Sequence, residues 1–228
     1  MDVVLAERLA LLRKCDTGNV ADAFVRLGMA RQLGDLTVNG VLCRPLNFED
    51  SFAGPAVTVR FAPLLPGHGG ASLFDVFEKS PAGSVVVMTG IPDRCYMGDV
   101  LAKYAAKVGI AAVVAEGLVR DSKGCAGCGI PIFAAGGTAA AKGKEMYAVE
   151  AVGEPISFHG ISIHAGDLLV GGCDGMIRIP PDLLEGVCGE LVEVLACERM
   201  YDDVFAEYEG RDCEGLLAKL KAVSAKSH

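Results

Sequence analysis

The chain has 228 residues, 51% of them hydrophobic and 22% charged, with 29 glycines and no tryptophan. That balance excludes a disordered or fibrous protein, and the length suits one large domain with a substantial core. The formal charge is −8 and no Lys/Arg cluster is interleaved with aromatics, which argues against a nucleic-acid groove.

The opening stretch, "MDVVLAERLALLRKCD", reads as an amphipathic helix ending near Lys14. It lacks the basic flank, apolar run and small-residue cleavage site of a signal peptide. No apolar run is long enough for a membrane span. Nine cysteines, an odd number in a long apolar chain, fit reduced thiols better than a disulfide framework. A cytoplasmic protein without membrane contact is expected.

"CDTGNVADAFVRLG" supplies Asp16 or Thr17 as the cap of a second helix closed by Gly28. "GPAVTVRFAP" (54–63) reads as a strand, and "GASLFDVFEKSPAG" (70–83) as a helix ending in a Pro-Gly turn. "SVVVMTG" (84–90) is a buried strand. In "MGDVLAKYAAKVG", Val100, Leu101, Tyr104, Ala105 and Val108 recur at helical spacing while Lys103 and Lys107 face away, and Gly109 closes the helix. "IAAVVAEG" (110–117) is another buried strand, so the segment is a βαβ unit with parallel strands.

"GIPIFAAG" (129–136) reads as a further strand. "ISIHAGDLLVGGCDGMIRIP" (161–180) carries short apolar segments split by Ala165-Gly166-Asp167 and Asp174-Gly175, the pattern of antiparallel hairpins. From Pro181 onward the chain turns helical and acidic. Its apolar stripes at helical spacing are those of core or subunit contact.

In a βαβ unit the loop leaving the first strand and the end of the second share one edge of the sheet, where open α/β folds bind ligands. The helix from about 99 to 108 runs roughly 15 Å back at about 1.5 Å per residue. The following strand returns a comparable distance at about 3.3 Å per residue. Asp99 is therefore expected beside Arg120 and Asp121. Two carboxylates, one guanidinium and the N–H groups of a helix start then converge, with Gly98 allowing close approach. A carboxylate-bearing substrate suits the N–H groups. Asp99 and Asp121 offer hard oxygen ligands for Mg²⁺ or Mn²⁺. The plainer reading stands beside this one: Asp99 as a first-turn acid, Arg120 and Asp121 as solvated turn residues.

"GDVLAKYAAKVGIAAVVAEGLVRD" resembles the signature of an Asp, twenty residues, then Arg-Asp found in the class II 4-hydroxy-4-methyl-2-oxoglutarate / 4-carboxy-4-hydroxy-2-oxoadipate aldolases. These belong to the family of regulator of ribonuclease activity A. "NVADAFVRLG", "GPAVTVRF", "GIPIFAAG" and "AGDLLVGGCDGMIRIP" extend the resemblance from about Asp16 to Pro181. It implies a layered α/β sandwich around a central swivelling β-domain, with a mixed sheet, βαβ units and C-terminal hairpins, over residues 1–181. Residues 182–228 form a helical extension packed on the same domain. It also implies a homotrimer or homohexamer acting on a small keto acid. Members cleave their substrates to pyruvate with a divalent metal and decarboxylate oxaloacetate alongside.

By the resemblance, Asp121 contacts Mg²⁺ (or Mn²⁺) directly and Asp99 does so through water. Arg120 holds the keto acid and its enolate, and Gly98, Asp99, Val100 and Leu101 receive the carboxylate on their backbone. Some relatives carry an acid three positions after the Arg-Asp pair, where this chain has Gly124. The alternative within the family is a non-catalytic, protein-binding regulator.

Other signals carry less. Cys125 and Cys128 make one C-x-x-C, short of the ligands zinc requires. "GTAAAKGKE" (137–145) has a phosphate loop's lysine but neither its spacing nor its final hydroxyl, and reads as loop. His68, in a glycine-rich connector, is the histidine closest to a substrate role; His159 and His164 read as surface or satisfied structural residues. No G-x-G-x-x-G follows a predicted strand, which argues against a nucleotide-dependent dehydrogenase.

Overall fold

The computed structural model describes residues 3–64, 70–140 and 146–224. His68 and the 141–145 part of the glycine-lysine segment lie outside the described residues.

Two short helices open the chain, α1 (Val3–Leu12) and α2 (Thr17–Arg26). Asp16 starts α2 with a capping box: its carboxylate accepts from Asn19 N–H at 2.8 Å, and Asn19 Oδ1 accepts from Asp16 N–H at 3.0 Å. Strands β1 (Thr37–Asn39) and β2 (Arg44–Pro45) precede the long β3 (Phe52–Pro63). Then come α3 (Leu73–Lys79), capped by Ser72, β4 (Val85–Thr89), α4 (Asp99–Lys107) and β5 (Ala112–Ala115). Gly109 lies between the last two at φ +87°, the left-handed conformation a helix C-terminus favours.

The chain continues through β6 (Leu118–Val119), α5 (Ser122–Ala126), β7 (Ile132–Ala134), β8 (Gly136–Gly137) and β9 (Tyr147–Val152). Strands β10 (Ile156–Phe158), β11 (Ile161–Ile163), β12 (Leu168–Gly172) and β13 (Gly175–Ile179) follow, and helices α6 (Leu184–Glu207) and α7 (Cys213–Ser224) close the described chain.

The mixed sheet of nine strands runs β1-β13-β12-β3-β4-β5-β7-β2, with β9 paired to β3. Only β3-β4, β4-β5 and β5-β7 pair in parallel within it, and their register places Val85 opposite Ala112. The predicted βαβ unit is β4-α4-β5. Its strands are buried on both faces, as parallel strands are. Val86, Met88 and Val113 pack toward Phe77, Ala102 and Ala105 of the helices. Val85, Val87 and Val114 pack on the opposite face with Phe158 and Ile163 of the β10-β11 ribbon. A third cluster joins Leu9, Phe24, Val187 and Leu191 to Val170 and Ile177, so α6 lies with α1 and α2 against β12 and β13.

Three expectations are corrected. Val100, assigned by spacing to the helix's buried stripe, is 65% exposed; Ala102 and Ala105 are the fully buried residues of α4. Small side chains let that helix lie close on the sheet, a feature that a search for large apolar residues overlooks. Residues 161–163 do not form a hairpin with 168–172 but pair with β10, across a turn where His159 (φ +46°) and Gly160 (φ +91°) are both left-handed. That backbone matches the two-residue hairpin turn compatible with strand twist. Finally, His159 is not a satisfied residue, for its Nε2 is buried without a hydrogen-bond partner among the described residues.

Candidate active site

Loop 90–98 decides where α4 begins. Its start is held by Tyr96, whose buried hydroxyl accepts from Ile91 N–H at 2.9 Å. Its far part runs alongside β6: Tyr96 N–H donates to Leu118 O at 2.9 Å, Leu118 N–H to Arg94 O at 3.1 Å, and Arg120 N–H to Met97 O at 3.0 Å. Those bonds lay Gly98 directly against the Arg120-Asp121 pair. A Cβ built on Gly98 would stand 2.6 Å from Asp121 Oδ2 and 3.2 Å from Arg120 Nε. Any other residue would displace the carboxylate.

Arg120 and Asp121 are about half exposed, with Nε and Oδ2 3.2 Å apart. Asp121 is one of two non-glycine residues with positive φ among those described, at φ 54° and ψ 40°. It occupies the N-cap position of α5, yet its side chain makes no capping bond. A backbone held left-handed costs of order 1 kcal/mol outside glycine, least for Asp and Asn. Here it turns a carboxylate toward the cleft instead of onto its own helix. The backbone is fixed from behind, because Cys125 N–H donates to Asp121 O at 2.9 Å and Cys125 Sγ lies 3.3 Å from Arg120 O.

Asp99 opens α4. Lys103 Nζ, one turn on, lies 2.5 Å from Asp99 Oδ2. That hydrogen bond, with the charges of Lys103 and Arg120 and the Val100 N–H, holds the Asp99 carboxyl below its ordinary range against a smaller opposing effect of burial. Behind it, a Cβ on Gly124 would meet Asp99 Cβ at 2.7 Å and Oδ2 at 2.9 Å. Gly124, which departs from the acid of some relatives, is thus the space that Asp99 fills. Gly98 caps α4 without a side-chain bond, and although the Val100 N–H is taken by Asp99, the first turn of the helix lines the cleft with the positive end of its dipole.

These groups line one side of a cleft of about 640 Å³, within the ~300–1,000 Å³ of small-molecule sites. The structure brings together Gly98, Asp99, Val100, Leu101, Arg120 and Asp121, all of which line it. Gly70–Phe74 and Tyr147–Val149 also line it; they carry no motif, and the sequence gives no sign that they belong to a site. Cys125 is buried and its thiol is pushed up to about 12, chiefly by desolvation, which makes it inert. Among the described residues no group of three or more His, Cys, Asp or Glu could hold a metal. Two carboxylates at an open cleft fit a hard ion such as Mg²⁺, which keeps most of its water and takes the rest of its shell from substrate.

A family model described as Aldolase/RraA, RraA-like, matches residues 17–178. The chain belongs to the aldolase/RraA family. A member from Halalkalibacterium halodurans, provisionally named 4-hydroxy-4-methyl-2-oxoglutarate aldolase, is 38% identical over 146 residues, 63% of this chain and 67% of that protein. An uncharacterised protein of Pseudomonas syringae pv. tomato has the fold at a TM-score of 0.76 and 25% identity, covering 92% of this chain and 96% of its own. Streptomyces coelicolor RraAS2, described as an unusual member of the RNase ES inhibitor RraA family, matches at a TM-score of 0.71 and 23% identity over 85% and 95% of the two chains. Aldolase/RraA members therefore share this mixed α/β fold. No described helix of this one is long and apolar enough to cross a membrane.

Proposed function

We propose that the protein is a divalent-metal-dependent aldolase of class II that cleaves a 4-hydroxy-2-oxo acid to pyruvate and a second carbonyl compound, and that it decarboxylates oxaloacetate alongside. The observation that carries this reading is the contact of Gly98 with Arg120 and Asp121. It joins a helix start, a guanidinium and a carboxylate at one open cleft. The name of the Halalkalibacterium relative supports the reaction class.

In cleavage the C3–C4 bond breaks, the C4 hydroxyl gives up its proton to water and becomes a carbonyl, and the electron pair passes to C3 and the C2 oxygen. The resulting enolate takes a proton at C3 to become pyruvate. Decarboxylation of oxaloacetate loses CO₂ and reaches the same enolate. Arg120 faces the oxygen on which charge develops, and a fixed guanidinium in a cleft stabilises such charge without reorganisation. The first-turn N–H groups of α4 receive the substrate carboxylate. Asp121, with Asp99 behind it, would hold Mg²⁺ or Mn²⁺ at the cleft. When bound, the ion supplies Lewis-acid polarisation of the keto oxygen.

A regulator that only binds a protein partner has no need for all three of these charged residues. Pyruvate release coupled to lactate dehydrogenase, with and without chelator, tests the lyase reading. Turnover is expected only with Mg²⁺ or Mn²⁺. Arg120→Ala and Asp121→Ala are each expected to lose at least about 10²-fold in kcat with unchanged circular dichroism. Background rates with oxaloacetate and every 4-hydroxy-2-oxo acid, metal present, would end it.

A further inference from the structure

Loop 90–98 has two ends to secure. Its far end lies along β6 and lays Gly98 against Arg120 and Asp121. At its near end the chain leaves β4 through Gly90, so close to β3 that a Cβ there would stand 2.1 Å from Phe61 O. The bonds from Ile91 N–H to Tyr96 Oη and from Arg94 N–H to Ile91 O close the loop on itself without tying this end to the sheet.

Glu116 makes that tie. The register that sets Met88 opposite Ala115 puts Thr89 beside Glu116. Glu116 Oε2 accepts from Gly90 N–H at 3.1 Å and from the Thr89 hydroxyl, which lies 3.0 Å from Ser157 O. Oε1 accepts from His159 N–H, in the β10-β11 turn, at 3.4 Å. One carboxylate thus holds the start of the loop and the ribbon behind it, and hydrogen bonds to a carboxylate are roughly twice as strong as neutral ones. Gly117 completes the seat, since a Cβ there would stand 2.4 Å from Pro92 O.

Thr89 and Glu116 project from the sheet face of Val87 and Val114, toward the ribbon, whereas Ala102 and Ala105 of α4 pack on the other face. Glu116 is not among the described residues that line the cleft. Its effect on the chemistry must pass through the loop.

We propose that Glu116 is a positioning residue of the active site: by fixing the start of loop 90–98 it presets Gly98 and the first turn of α4 against Arg120 and Asp121, so that a keto acid meets a site already formed. The inference rests on the lyase reading and adds to it a residue on the far face of the sheet.

Hydrogen exchange on the full chain reads the tie without any substrate. In Glu116→Ala, peptides spanning 90–98 are expected to exchange at least about tenfold faster than in the wild type, with those of β4 and β5 unchanged. A loop that is formed only part of the time weakens apparent binding by that fraction, while bound ligand restores the formed state. The Kd of pyruvate by calorimetry with Mg²⁺ present, and the KM of oxaloacetate, are therefore both expected to rise about tenfold while kcat stays within about twofold. Glu116→Gln, which keeps an oxygen for Gly90 and Thr89, is expected to recover most of that loss. Thr89→Val should reproduce part of it, and add nothing in the Glu116→Ala background; these two variants carry the test if Glu116→Ala does not fold. A merely structural Glu116 would lower the melting temperature and leave Kd and KM alone. Unchanged exchange over 90–98, or unchanged Kd and KM, overturns the proposal and leaves the lyase reading in place. A weakened pyruvate Kd in a protein that cleaves no keto acid upholds the positioning role and removes the lyase reading, and a wild type that neither binds pyruvate nor cleaves removes both.

Discussion

Gly124 sits inside α5, where exchange for alanine ordinarily stabilises a helix by roughly 1 kcal/mol. Here the new methyl would meet Asp99 Cβ at 2.7 Å, and overpacking of that kind costs about 1–3 kcal/mol. The steric effect wins, so Gly124→Ala is expected to lower the urea midpoint and to impair turnover by displacing Asp99; a raised midpoint would show that the contact yields easily. Gly98→Ala is expected to cost little stability but at least about 10²-fold in activity, because its methyl falls on the Asp121 carboxylate. The Asp99-Lys103 pair adds a pH signature. Asp99 titrates below its ordinary 3.8 and Lys103 above its ordinary 10.5, each chiefly through the hydrogen bond they share. A lowered carboxyl stabilises the fold above its unfolded value and loses that contribution as pH falls through its folded one; a raised ammonium does so below its unfolded value and loses it as pH rises through its folded one. The stability advantage over Lys103→Met should therefore persist between those limits and vanish beyond both, as denaturant midpoints across the pH range would reveal. An advantage unchanged well below pH 3.8 would refute the pairing.

At the scale of elements, the βαβ unit and the Asp99, Arg120 and Asp121 convergence were legible because hydrophobic period and chain direction together fix which strand ends share a sheet edge. Neighbouring parts were not legible. Helix α5 is five residues long, too short for periodicity to register. β9 pairs with β3 at a separation of some ninety residues, with Val59 opposite Val152, and nothing local announces such a partner. Asp167 shows how burial hides behind turn chemistry. In "AGD" it reads as a hairpin residue, yet it is 2% exposed, accepting from His164 N–H at 2.7 Å and from Arg178 Nε at 2.5 Å. Removing one partner of a buried ion pair leaves the other uncompensated, so Asp167→Ala is expected to cost about 3–5 kcal/mol. A urea titration showing under about 1 kcal/mol would refute that assignment.

On the scale of the whole molecule, the parts that build the site share one core cluster, to which loop 90–98 gives Tyr96, α4 gives Ala102 and Ala105, α5 gives Cys125, and β3 and β9 give Phe61 and Val149. Ligand binding should therefore stabilise the entire fold. With Mg²⁺ at a hundred times its dissociation constant the expected gain is about 2.7 kcal/mol, read as a higher melting temperature in the wild type and absent in Asp121→Ala. An equal shift in both proteins would place the ion elsewhere.

The left-handed backbone at residue 121 has an evolutionary corollary. Asparagine tolerates that conformation as well as aspartate does. Exchanging one carboxylate oxygen for an amide nitrogen at this position erases the negative charge while every main-chain hydrogen bond around the turn survives. If the lyase reading holds, chemical competence and architecture are separable at this position by a single codon.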